Sequence, residues 1–135
     1  MDEVTFFPIL VAGIVAMAIA YLWYHPKVFG SAWMRMVGIT PESVESGKNK
    51  MLLIVVVAIL ANMLVAYVMN YFGRAWGIFD VFGAVELGFW SWLGFVAPTM
   101  LGMVLWEHKS FKLYLINTLY WLVAFIAIAI TLVLL

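Results

Sequence analysis

"MLLIVVVAILANMLVAYVMNY", residues 51–71, decides the fold. It carries no charge, and its two amides are Asn62 and Asn70. A helix rises ~1.5 Å per residue, so about 20 apolar residues cross a hydrocarbon layer ~30 Å thick. The run shows none of the period-two alternation of a membrane barrel strand. Backbone groups in hydrocarbon must bond within their own segment, so the stretch reads as a spanning helix.

Working outward, three further segments have the same character: about 4–24, 81–105 and 113–135. Of the 135 residues, 67% are hydrophobic and 10% charged, and the mean hydropathy is +1.11. Soluble domains carry about 25% charge, and one this small has too much surface to hide so much apolar area. The expectation is an all-α integral membrane four-helix bundle, a single transmembrane domain over 1–135 with the lipid bilayer as its first partner. A formal net charge of zero argues against nucleic acid, which needs a basic face. With no cysteine, disulfides and thiolate metal sites are excluded. The chain opens "MDEV" rather than on a basic region, so segment one reads as a span and not as a cleaved signal.

The loops set an orientation. Lys27, Arg35, Lys48, Lys50, Lys109 and Lys112 fall in the first and third loops, and Arg74 alone in the second. The positive-inside rule places loops one and three in the cytoplasm and both termini outside a cell membrane.

"LWYHPKVFGSAWMRMVG", residues 22–38, follows the first span. Trp23 and Tyr24 suit the headgroup depth, Pro26 favours a helix end and Lys27 can snorkel. Phe29, Ala32, Trp33, Met36 and Val37 recur at helical spacing with Arg35 opposite, which predicts a short interfacial amphipathic helix between spans one and two. Gly38 fits its stop. Thr40-Pro41-Glu42 reads as a new helix start leading through "SGKNK" into the second span.

This stretch resembles the N-terminal signature of domain-of-unknown-function family 1761, small bacterial and archaeal membrane proteins. "ELGFWSWLGFVAPTMLGMVLWEHKSFKLYLINTLYWLV", residues 86–123, resembles that family's C-terminal half. Gly94-Phe95, the run from Pro98 to Gly102, the loop from Glu107 to Lys112, and Asn117 correspond to its usual features. The resemblance implies a prokaryotic four-helix membrane protein and brings no established activity, cofactor or catalytic residue.

Helices in lipid associate through close packing and hydrogen bonds, not through apolar burial. Ala12, Ala16 and Ala20 beside Gly13 form one small-residue stripe, and Ala84, Gly88, Gly94, Pro98 and Gly102 another. They serve a compact bundle or a homo-oligomer equally. Pro98 predicts a kink near Gly94, with Thr99 or a neighbouring helix satisfying the freed carbonyl.

Ionisable and polar groups inside spans are the functional candidates. Glu86 is read as an interfacial carboxylate, either ionised and paired with Arg74 or protonated, with a proton- or cation-coupled role as the alternative. Asn62 is read as interhelical glue, with a ligand contact as the alternative. The sharpest site hypothesis is a cytoplasmic-side pocket of Trp23, Tyr24, His25, Trp33, Glu107, His108, Tyr114, Asn117 and Trp121, under a lid around residues 29–37. The blander reading of those residues is an aromatic belt with hydrogen-bonded corners.

His25, Glu107 and His108 lack HxxxH or HExxH spacing, so no metal site is expected. No GxSxG setting or Gly-rich phosphate loop occurs, so no catalytic residue and no cofactor is assigned. Three functions remain. One is a non-enzymatic accessory subunit or small oligomeric transporter or channel, which is favoured. The others are an enzyme acting on a lipophilic substrate at the cytoplasmic face, and a binder of amphiphiles. An enzyme requires convergent Arg, His and Glu, a channel requires Asn62 and Glu86 on a polar path, and a scaffold turns both into helix contacts.

Overall fold

The computed structural model describes residues 5–135; the predicted start of the first span at Val4 and the acidic Asp2-Glu3 pair lie outside them. The helices are α1 (Phe6–Trp23), α2 (Ser31–Val37), α3 (Pro41–Gly47), α4 (Met51–Ala75), α5 (Val81–Leu105) and α6 (Phe111–Leu134). Four of them, α1, α4, α5 and α6, are long and apolar enough to cross a membrane. Among the described residues there is no strand. α4 runs one turn beyond Tyr71, and α6 starts two residues before Leu113 because the Ser110 hydroxyl accepts from the Leu113 N–H at 3.0 Å.

The link between the first two spans follows its local chemistry. α1 stops at Trp23, and Pro26–Gly30 winds into a π-helical turn about His25, whose carbonyl accepts from the Gly30 N–H at 2.9 Å. A Cβ on Gly30 would collide with the Tyr24 carbonyl, so the turn needs glycine. Gly38 ends α2 at φ 79°, the left-handed region where a side chain is strained. Thr40 caps α3 in a reciprocal arrangement with Ser43, with Pro41 in the first turn. A short 3-10 turn, Lys48–Lys50, then carries α3 into α4.

The packing order is α4–α1–α6–α5. α6 supplies the largest share of the core, with Tyr120, Ala124, Ile128, Ala129 and Leu132 meeting Ile9, Ala12 and Ala16 of α1 and Ala84 and Leu87 of α5. Small residues set the spacing, as expected in lipid. A Cβ on Gly88 would stand 2.8 Å from the Ile126 Cα, so α5 and α6 approach backbone to backbone there. The second stripe is only half used. Gly94 and Pro98 face outward, and Gly94 has nothing within 4 Å of a virtual Cβ. The cause is a π-helical turn, Trp92–Val96, which adds a residue to the helical register and rotates the later positions off the α6 contact.

Candidate functional site

α6 is tied to both neighbours by aromatic side chains that reach backbone carbonyls. On the α1 side, Trp23 Nε1 donates to the Ile116 carbonyl at 2.9 Å and the Tyr120 hydroxyl to the Ala16 carbonyl at 3.0 Å. On the α5 side, Trp92 Nε1 donates to the Thr118 carbonyl and the Tyr114 hydroxyl to the Ala97 carbonyl, both at 2.7 Å. The Tyr24 hydroxyl donates to Asn117 Oδ1 at 2.8 Å. Tyr24, the residue after the first span, also packs its ring on Trp33 at 5.0 Å and on Tyr120 at 5.6 Å. Burial, then the neighbouring Tyr120, pushes its hydroxyl above the ordinary tyrosine range, so it acts as a neutral donor.

Trp23, Tyr24, Trp33 and Asn117 are gathered at this corner, with the Trp23 indole N–H on a backbone carbonyl and the Tyr24 hydroxyl on Asn117. Tyr114 turns to α5 instead. His25 is half-buried and its Nδ1 accepts from the Lys27 N–H at 3.1 Å, capping the π-helical turn. Glu107 and His108 are exposed in the third loop, where His108 takes φ 58°. Among the described residues no group of three or more His, Cys, Asp or Glu assembles. Arg35 is exposed on α2 and does not join them. The loops themselves meet: the Ser110 hydroxyl donates to Met36 Sδ at 3.3 Å, so the basic residues of loops one and three share one end of the bundle.

Asn62 is buried in the packing stripe of α4 with Ala66, Met69, Asn70 and Gly73. Glu86 is exposed on the outward face of α5. The ion pair formed among the described residues is Lys48–Glu45, not the Glu86–Arg74 pair allowed by sequence. Neither Asn62 nor Glu86 lines the open groove between α4 and α5.

That groove escapes sequence reasoning. α4 packs on α1 and meets α5 only sparsely. A cleft stays open between α4 and α5, with α6 as its floor. Its most enclosed part is a cavity of about 250 Å3 among Leu64, Val68 and Phe72 of α4, Ser91 and Phe95 of α5, and Phe125 of α6. A second hollow of about 280 Å3 shares Phe125 and extends past Val96 and Thr99 to Trp121. A third of about 340 Å3 continues from Thr99 and Met100 to Trp106 and Glu107 in the third loop. Two residues of the predicted pocket, Trp121 and Glu107, thus belong to this groove. The π-helical turn shapes its α5 wall, and Thr99 Oγ1 closes the wall's loose backbone by donating to the Phe95 and Val96 carbonyls at 2.7 and 3.0 Å.

The family model described as "Protein of unknown function (DUF1761)" matches residues 7–133. No curated protein and no solved structure matches the chain.

Proposed function

We propose, starting from the fact that this chain belongs to the DUF1761 family, that it is a non-catalytic, multi-pass membrane protein that takes up a lipophilic molecule sideways from the bilayer. The observation that carries this reading is the groove between α4 and α5, apolar at mid-span and edged by Thr99, Trp106 and Glu107 toward the third loop. Ligand sites are concave, mostly apolar and lined with a few polar groups. This one faces the lipid along its length, so entry needs no opening of the bundle. Loops one and three lie in the cytoplasm of a cell membrane, the termini outside, and α2 rests in the cytoplasmic interface.

The dispersal of Arg35, His25, Glu107 and His108 supports binding over catalysis. The burial of Asn62 in helix packing and the outward position of Glu86 support it over conduction through the monomer.

Photo-crosslinking with a diazirine-bearing palmitic acid in reconstituted membranes tests the reading. Label concentrated in the Leu64–Phe72 and Phe95–Met100 segments, and removed by Val68→Trp, is the expected result. Label spread evenly over outward positions such as Leu53, Leu60 and Trp90 overturns it.

A further inference from the structure

We infer that the most enclosed cavity of the groove takes a flat, neutral lipophile carrying a carbonyl oxygen, and that this oxygen accepts a hydrogen bond from Ser91. The inference rests on the groove being a binding site and names the chemistry it selects.

Ser91 is 5% exposed, and among the described residues its Oγ is the one buried side-chain polar atom without a hydrogen-bond partner. A hydroxyl on a helix ordinarily donates its proton to a carbonyl three or four residues back. This chain does so twice within its spans: Thr99 bonds to the Phe95 and Val96 carbonyls, and Thr131 to the Ala127 carbonyl at 2.8 Å. Thr118 turns instead to Met100 Sδ at 4.0 Å; among the described residues Ser91 is the span hydroxyl that reaches no partner, and it stands where α-helix passes into the π-helical turn at Trp92. An unmatched polar group in a low-dielectric interior is destabilising and calls for an explanation.

The cavity beside it supplies one. Ser91 is the only polar residue in the lining. Its Oγ sits behind an otherwise apolar wall, and one staggered step of χ1 carries a serine hydroxyl from one side of its Cβ to another. The hydroxyl is unmatched both as donor and as acceptor, and an acceptor is the partner that satisfies its single proton. Water is a poor candidate at this depth. Ser91 lies ten residues into α5, ~15 Å along it, near the middle of a ~30 Å hydrocarbon layer. The ester groups of ordinary lipids stay near the headgroups, so the acceptor must belong to a molecule that places an oxygen at mid-bilayer.

Shape follows from the walls. Phe72, Phe95 and Phe125, one from each helix, surround the cavity; the first two have ring centroids 6.5 Å apart. Aromatic faces favour offset or edge contacts with another ring. A cavity of about 150 Å3 already admits benzene, and this one measures about 250 Å3. Quinones and aryl ketones have the required combination of flat ring, carbonyl and neutrality.

The test uses the full chain in phosphatidylcholine nanodiscs, with empty nanodiscs as background. Equilibrium dialysis measures binding of 2-methyl-1,4-naphthoquinone and of its carbonyl-free counterpart 2-methylnaphthalene. The expected result is an affinity for the quinone about three- to tenfold above that for the hydrocarbon. Ser91→Ala abolishes that preference and leaves hydrocarbon binding and the melting temperature no lower. Val68→Trp, which fills the cavity, removes binding of both. Equal binding of the two probes by the wild-type chain, or a preference that survives Ser91→Ala, overturns the carbonyl assignment while leaving the groove reading intact. Binding of neither probe above background overturns both.

Discussion

Tyr24 and Asn117 stand 93 positions apart and share a hydrogen bond of 2.8 Å, joining the end of α1 to the first third of α6. The bond lies among the rings of Trp33, Tyr120 and Trp121, so Tyr24→Phe removes one hydroxyl and keeps the ring contacts. Side-chain hydrogen bonds between membrane helices average ~0.6 kcal/mol and reach ~1.7 kcal/mol. A double-mutant cycle with Asn117→Ala, read by reversible unfolding in mixed micelles, should give a coupling of about that size. If Tyr24→Phe costs as much in the Asn117→Ala background as in the wild type, the bond contributes nothing.

Gly88 and Gly94 are one and a half turns apart on α5 and should respond oppositely to the same change. A methyl at Gly88 meets the α6 backbone at Ile126, which cannot step aside without separating two helices. Overpacking of this kind costs ~1–3 kcal/mol, so Gly88→Ala should lower the melting temperature. A methyl at Gly94 meets nothing, and alanine is the better helix former by ~1 kcal/mol. Gly94→Ala should be neutral or stabilising. Loss of stability at both positions would mean that the outward face of α5 is also a packed surface.

The same pair marks how far the sequence reaches. Hydropathy marks out the four long apolar helices, because a bilayer imposes length and apolarity on each segment separately. Gly38, Thr40 and Pro41 announced their turns, since those signals are local. Spacing alone treated Gly88 and Gly94 as members of one stripe, because a π-helical turn leaves no mark in a count of small residues. His25, Glu107 and His108 share an end of the bundle with Trp23 and Asn117, but the loop conformations that make His25 a cap and turn Glu107 and His108 outward are not periodic and cannot be counted. The groove is the largest omission. It exists because α4 prefers α1 to α5, and that preference is a property of four helices together. In the sequence Ser91 is one serine without a nucleophile's setting; its distinction is the partner it lacks.

Thr99 should matter locally. Pro98 offers no N–H to the helix ladder, and the π-helical turn loosens the carbonyls before it. Thr99 Oγ1 covers two of them, at Phe95 and Val96, on the groove wall. Thr99→Val keeps the shape and removes the donor, at an expected ~1 kcal/mol. Hydrogen exchange in nanodiscs should quicken over residues 92–101 and stay unchanged in α1 and α4. A uniform increase would instead make Thr99 part of the global core.

The orientation rests on charge. Lys27, Arg35, Lys48, Lys50, Lys109 and Lys112 share one end, held together by the Met36–Ser110 contact, while Arg74 alone marks the other. Moving a single charge across a membrane potential changes the free energy by ~2.3 kcal/mol per 100 mV, so the six-to-one imbalance predicts insertion with the basic end inside. With no native cysteine, single substitutions read sidedness directly. Ser46, exposed in α3, and Phe79, 82% exposed between α4 and α5, lie at opposite ends. A membrane-impermeant maleimide should label Phe79→Cys in intact cells and Ser46→Cys only in inverted vesicles. The reverse pattern would turn the bundle over, placing the Trp106–Glu107 end of the groove outside and exposing it to ligands arriving from the opposite leaflet.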